Sequence, residues 1–162
     1  MIEVSNDTFR CKGEMTLGEE RNSRIESEVE VKTYLDRLKY ALNQGSKIEF
    51  QVERFVDTQR DEKYTNRYTM TTLFPNENPV DVLRRELLSL SVEDYIQTVK
   101  DTRFPKRSEM REFGKVYNGT DDVYIKIRVE LLDSYGQTKT FVMSFHFAVI
   151  AFTPEMFPYR KG

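Results

Sequence analysis

The sequence predicts a single α+β domain in which helices pack on one side of an antiparallel sheet. Three observations predict this class: a long strand hairpin near the C-terminus, capped helical patterns before it, and no repeat, low-complexity tract or linker. At 162 residues one domain is expected. We divide it into an N-terminal hairpin and helix (1–45), a sheet-and-helix core (46–152) and a C-terminal tail (153–162).

The hairpin, predicted for residues 122–152, organises the rest of the chain. Its first strand alternates apolar with polar residues, which is typical of a strand with one buried face. Its second strand is apolar on both faces from Phe141 onward, which favours a central place in the sheet. A five-residue loop at 133–137 would pair Tyr124 with His146. His146, the only histidine, is then either a hydrogen-bonded residue on a half-buried face or a titratable group beside a phenol.

The sequence pattern of the first half of the chain predicts a hairpin, a helix and a strand. Short alternating pieces around an Asn-Asp turn predict the hairpin at 2–15. Apolar residues at helical spacing predict a helix at 24–43, with Ile25 and Val29 on its buried stripe and Gly45 as its stop. Alternation predicts a strand at 47–56. Residues 57–72 are polar with interleaved aromatics and bases, which indicates a structured surface loop or a single-stranded nucleic-acid contact.

Two more helices are predicted before the hairpin. Asn78 and Pro79 are a good cap and first residue for one of them. Ser91 and Asp94 resemble a capping box for a second helix at 92–99. An exposed basic loop at 101–110 and a segment at 111–117 lead into the hairpin, and the tail is expected to lie over the sheet edge.

Composition and charge restrict the classes of function that the protein can have. The net charge of -2 argues against a general nucleic-acid binder, yet residues 1–36 hold nine acids and five bases, whereas 100–128 hold eight bases and five acids. The single cysteine, Cys11, excludes a disulfide within the chain. We see no leader sequence and no apolar run of about 18 residues, so we expect a cytoplasmic protein without a membrane partner.

The stretch from Leu88 to Phe147 resembles the motility quorum-sensing regulator toxins, which are messenger-RNA interferases of RelE-like fold. The resemblance rests on Leu90-Ser91, on Asp94-Tyr95 and on the strands 123–127 (VYIKI) and 143–146 (MSFH). It implies a RelE-like core that carries an N-terminal extension. It also implies a toxin-antitoxin system, with messenger RNA, the ribosome or an antitoxin as partners.

The family's catalytic positions fall on other residue types at most sites. Its helix lysine falls on Gln97, its bridging glutamine near Arg111, its strand tyrosine on Tyr124 and its last lysine on His146. Such enzymes need a base, an acid and a cation for attack of the ribose 2′-hydroxyl on phosphate. If the chain is a ribonuclease, Tyr124, His146 and Arg111 are its catalytic residues.

The whole chain also resembles small accessory proteins of bacterial mobile elements, among them the type II anti-CRISPR proteins. The similar segments are residues 48–69, 101–114 and 142–148. This resemblance implies a non-enzymatic inhibitor that binds and blocks an RNA-guided DNA nuclease ribonucleoprotein. It is our first functional hypothesis, and the toxin is the alternative. The predicted partner-binding residues are the bases Arg103, Lys106, Arg107, Arg111, Lys126 and Arg128.

No other chemistry is indicated. Phosphate-binding glycine loops, dinucleotide fingerprints, zinc-protease motifs and nucleophile elbows do not occur in the sequence. We therefore expect neither a cofactor nor a metal ion.

Overall fold

The computed structural model describes residues 21–52, 61–131 and 137–161. The described helices are α1 (Glu28–Asn43), α2 (Asn66–Leu73) and α3 (Pro79–Leu88). The described strands are β1 (Arg21–Arg24), β2 (Lys47–Phe50), β3 (Tyr95–Asp101), β4 (Met110–Tyr117), β5 (Asp121–Leu131) and β6 (Thr138–Phe147). They form one sheet in the order β1-β3-β4-β5-β6-β2, and the predicted α+β class is confirmed.

The sheet is mixed rather than antiparallel throughout. Four of its pairings are antiparallel, but β2 lies parallel to β6 at the edge. Strand direction leaves no trace in an alternating pattern, because the alternation of side chains is the same in both directions. Mixed sheets are common among large sheets.

The core lies between one face of the sheet and the helices α1 and α3. We call this the helix face. Phe113, Ile125 and Phe145 are paired neighbours across β4, β5 and β6 on this face, and each is fully buried. The helices contribute their apolar stripes to the same cluster: Val31, Leu35, Leu38 and Leu42 from α1, and Val82, Leu83 and Leu87 from α3.

Helix α1 begins later than the sequence predicts. Ser27 caps it: the Ser27 hydroxyl accepts a hydrogen bond from the Glu30 amide, and the Glu30 carboxylate accepts one from the Ser27 amide. Ile25 therefore precedes the helix and is 56% exposed, while Val29 is 74% exposed in its first turn. The assignment of both residues to the buried stripe is wrong, because the stripe starts at Val31.

Residues 92–99 do not form the predicted helix. Ser91 and Asp94 make the expected capping box, but it caps a single 3-10 turn, and β3 follows from Tyr95. Tyr95, Ile96, Thr98 and Val99 are all buried, so both faces of this strand are covered. A strand buried on both faces shows no alternation, and the spacing of Tyr95, Ile96 and Val99 also fits one face of a helix.

Helix α2 lies in the segment that was predicted to be a surface loop. Its buried residues include Asn66 and Thr69, whose side chains bond to the backbone of β6. Asn66 accepts from the amide of Phe145 and donates to the carbonyl of Met143, and Thr69 accepts from the amide of Phe147. Because β2 ends at Phe50, these two side chains complete the hydrogen bonding of the β6 edge.

The C-terminal tail packs on the inner strands β3 and β4 and not, as expected, over the edge of the sheet. Phe157 is buried and contacts Phe152, and Tyr159 stacks on Tyr95. Gly114 on β4 makes room for this packing, because a Cβ atom there would lie 2.7 Å from a Phe152 ring atom and 2.9 Å from one of Phe157.

Some expectations lie outside the described residues. They are the N-terminal hairpin at 2–15, the end of the strand predicted at 47–56, and most of the hairpin loop at 133–137. Among the helices of the described ranges, none has both the length and the apolar character that a membrane crossing needs.

Candidate functional site

The sheet face opposite α1 and α3 is polar, and we call it the polar face. One row crosses four strands as Gln97, Glu112, Lys126 and Ser144. The next row holds Gly114, Tyr124 and His146. The second of these rows contains two of the three residues predicted to be catalytic.

Tyr124 and His146 are paired, as the sequence predicts. Their ring centroids lie 5.5 Å apart with an interplanar angle of 42°. His146 is only 5% exposed, and its Nδ1 lies 2.9 Å from the carbonyl oxygen of Phe147. The Tyr124 hydroxyl is also buried. The pair is thus an organised part of the polar face, but it presents little surface to a macromolecular substrate.

Arg111 lies on the other side of the sheet. It pairs with Ile127, whose side chain is in the core, so it points to the helix face. Its Nε and Nη2 donate to the two oxygens of Glu26 at 3.0 and 3.1 Å, and its guanidinium lies 4.3 Å from the ring centroid of Tyr34. The structure therefore does not bring Arg111 together with Tyr124 and His146.

Glu26 is the centre of a buried network that joins β1 to α1. Besides Arg111, its carboxylate accepts from Thr98 at 2.6 Å, and its backbone amide donates to the Tyr95 hydroxyl at 3.0 Å. Burial disfavours the charged form of Glu26, but the bonds from Arg111 and Thr98 outweigh it and hold its pKa below the usual range. At neutral pH this ionised, buried pair links β4 to the segment between β1 and α1, which gives Arg111 a structural role.

Two further bases predicted to bind a partner are also largely covered. Lys126 is 8% exposed, and its Nζ lies 4.0 Å from Oε2 of Glu112 on the polar face. The Arg128 side chain is 12% exposed, and its Nε is 2.6 Å from Glu130. Arg111, Lys126 and Arg128 are therefore poor candidates for direct contact with a partner.

The other three predicted bases lie together on an exposed loop between β3 and β4. We call residues 102–109 the cationic loop. Arg103, Lys106 and Arg107 are all exposed there. Arg103 is engaged by Asp101, because its Nη2 lies 2.8 Å from Oδ2 of that residue. Phe104 is 41% exposed between these cations.

The cationic loop has a defined conformation. The Phe104 amide donates to the carbonyl of Asp101, and the Arg107 amide donates to the carbonyl of Phe104, so the chain makes two successive turns. Lys100 at the end of β3 donates from Nζ to the carbonyls of Pro105 and Arg107 and so closes the loop from one side. The loop therefore presents its side chains from a fixed backbone.

Most of the positive charge of this loop has no carboxylate partner among the described residues. Its neighbouring acids are used: Asp101 binds Arg103, and Glu109 binds Arg24 at 2.8 Å. In the part of the chain that the structure describes, no carboxylate lies within ion-pair distance of Lys100, Lys106 or Arg107. Lys100 is bonded to two backbone carbonyls, so Lys106 and Arg107 are the exposed cations without a carboxylate partner among the described residues.

The sequence interpretation missed two residues that shape this loop, Phe104 within it and Lys100 at the end of β3. Phe104 and Lys100 carry the arrangement, since one is the exposed ring among the cations and the other fixes the backbone. An aromatic residue inside the run Arg103 to Arg107 was the available signal for Phe104. Lys100 gave none, because its role depends on how the loop folds back. Within the described ranges, no cluster of three or more His, Cys, Asp or Glu residues could hold a metal ion.

Comparison of the chain with protein-family models, with curated proteins and with solved structures gives no match.

Proposed function

We propose that this protein is a non-enzymatic inhibitor that binds a bacterial nuclease ribonucleoprotein in the cytoplasm and blocks it through the cationic loop. The target is a type II RNA-guided DNA nuclease, as the resemblance to small mobile-element proteins implies. The single observation that carries the proposal is an exposed, internally hydrogen-bonded loop in which Lys106 and Arg107 have no carboxylate partner among the described residues.

Electrostatics supports a binding role for this loop. A guide-loaded nuclease exposes phosphates, and complementary charge accelerates encounter and fixes orientation. Because the loop backbone is held by its own hydrogen bonds, little conformational entropy is lost when it docks. A fixed cationic surface of this kind suits an inhibitor that competes with the nuclease for the phosphates of its nucleic acid.

The placement of the candidate catalytic residues also favours binding over catalysis. Tyr124 and His146 are paired but largely buried, and Arg111 is bound to Glu26 on the opposite side of the sheet. Phosphoryl transfer requires its acid, base and cation around one phosphate. The described geometry does not supply that arrangement.

The test is co-purification with a guide-loaded nuclease. The wild-type protein is expected to be retained, and the double variant Lys106→Glu/Arg107→Glu is expected to be lost, because reversed charge repels phosphate. Arg37→Glu controls for the effect of a charge reversal elsewhere, since Arg37 is an exposed base on α1 and not in the loop. Equal retention of wild type and double variant would refute the placement of the binding surface.

A messenger-RNA interferase remains the second candidate because Tyr124 and His146 are adjacent as that activity requires. Its signature is growth arrest on expression, relieved by His146→Ala or Tyr124→Phe. An inhibitor expresses without arrest and protects a plasmid that the nuclease targets. Arrest that depends on both residues, with no plasmid protection, would replace our proposal with this one.

A further inference from the structure

The cationic loop contains a stacked pair that distinguishes it from a simple basic patch. The Arg107 guanidinium carbon lies 4.0 Å from the centroid of the Phe104 ring, and that of Arg103 lies 5.6 Å from the same centroid. Stacking on a ring fixes the plane of a guanidinium while its N–H edge keeps its donors. Arg107 is therefore oriented before any ligand arrives.

An oriented guanidinium suits one kind of anion particularly well. Its parallel N–H groups match two oxygens of a phosphate, and little rotamer entropy remains to be lost on binding. Lys106 adds a point charge on the next residue, with the two Cα atoms about 3.8 Å apart. Two adjacent cations require closely spaced anions, which a nucleic-acid strand provides along its whole backbone.

The exposed planar groups indicate which form of nucleic acid fits. Phe104 is 41% exposed, and the Arg107 guanidinium extends its stack. An unpaired base can stack on an aromatic ring or on a guanidinium plane, whereas a duplex keeps its bases stacked on one another. Charge and stacking on one rigid loop thus favour a single strand over a duplex.

We infer that the cationic loop is a binding site for single-stranded nucleic acid. Arg107 and Lys106 bind consecutive phosphates, and a base stacks on the Phe104–Arg107 pair. This inference deepens the proposed function, on which it rests, because it makes a nucleic-acid strand of the ribonucleoprotein the contacted component. An acidic protein surface is the competing ligand, and the experiment separates the two.

The test is fluorescence anisotropy with the full chain and a labelled single strand, prepared as RNA and as DNA. A duplex of the same sequence and polyglutamate are the comparison ligands. The inference predicts that the single strands bind more tightly than the duplex and that polyglutamate does not compete at equal charge. Preference for RNA over DNA would identify the guide, and the reverse preference would identify the displaced DNA strand; either supports the site.

Three substitutions separate the contributions of base stacking, of positive charge and of the forked guanidinium donor to strand binding. Phe104→Leu keeps the charge and is expected to weaken single-strand binding about tenfold, with little effect on the duplex. Arg107→Gln is expected to lower the slope of log K against log salt by about 0.7, the value for one lost phosphate contact on a single strand. Arg107→Lys retains the slope but loses affinity, because the forked donor is gone.

Arg37→Gln on α1 is the matched control and is expected to change neither affinity nor slope. Unchanged binding in Phe104→Leu and Arg107→Gln, or effective competition by polyglutamate, would overturn the inference. Retention of the nuclease by a protein that binds no single strand would also overturn it and leave the proposed function standing. Strand binding without nuclease binding would support the site and remove the proposed target.

Discussion

Replacing Arg111 with methionine separates a structural role from a catalytic one. The substitution keeps most of the side-chain volume but removes the charge. The Glu26 carboxylate, which is 5% exposed, would then lose both hydrogen bonds from the Arg111 guanidinium and the cation that compensates its burial. Thr98 and Arg24, at 2.6 and 3.5 Å, would be the remaining partners. The structure therefore predicts a large loss of stability.

The magnitude follows from the burial of the pair. Removing one partner of a buried ion pair costs about 3–5 kcal/mol. The Arg111 side chain is 16% exposed, so we expect the low end, about 3 kcal/mol in the free energy of unfolding. For a chain of this length that corresponds to a fall of roughly 6–12 °C in melting temperature. Urea unfolding followed by circular dichroism measures the first quantity, and a thermal scan measures the second.

A double-mutant cycle assigns this loss to the pair. Glu26→Gln combined with Arg111→Met is expected to cost less than the sum of the single changes, because no unpaired charge is left. Arg37→Met at an exposed position should stay within about 0.5 kcal/mol of wild type. A stable Arg111→Met protein that has lost nuclease binding or ribonuclease activity would refute the structural assignment and restore Arg111 as a functional residue.

Three further changes test other parts of the structure. Because the pKa of Glu26 lies below the unfolded value of 4.5, its contribution is complete above that pH and is lost as the pH falls through the folded pKa; urea titrations from neutral to acid pH should show a larger loss of stability in wild type than in Glu26→Gln, where Glu109 still titrates. Gly114→Ala should cost about 1–3 kcal/mol and make the tail easier to cleave, because its Cβ meets Phe152; an unchanged proteolysis pattern would contradict the packing. Asn66→Ala should speed hydrogen exchange at the Phe145 amide; equal protection would exclude the proposed edge contact.

The hairpin shows how a correct prediction can have a different cause from the one assumed. We expected Leu132 opposite Thr138, whereas the structure pairs Leu131 with Thr138. A register shift between Lys126 and Ile127 then takes up one residue on β6. Tyr124 meets His146 because the two differences cancel, and an alternating pattern contains no signal for such a bulge.

The sequence interpretation failed where polar residues are buried. Helix α2 was missed because Asn66 and Thr69 occupy its buried side, where they bond to a strand edge instead of filling a core. Arg111 looked like a surface base because its partner Glu26 lies 85 residues away in the sequence. Both contacts depend on the tertiary fold, which a local pattern of residues does not encode.

The exposed loop was easier to predict. The run 103–107 is polar, contains a proline and holds three bases, so exposure follows from composition alone. What the run does not reveal is which charges are already paired. The structure assigns Arg103 to Asp101 and leaves Lys106 and Arg107 with no carboxylate partner among the described residues, which reduces the expected contact set to two cations and an aromatic ring.

The most direct test of a binding role is a titration of purified protein into a DNA-cleavage reaction of a guide-loaded nuclease. We predict that inhibition rises with the ratio of protein to nuclease and is complete near equal amounts. We also predict that it is lost in Lys106→Glu/Arg107→Glu and retained in His146→Ala. The contrary result is inhibition by much less protein than nuclease, which increases with time and is abolished by His146→Ala. It would show that the protein acts as an enzyme, and it would contradict a binding role.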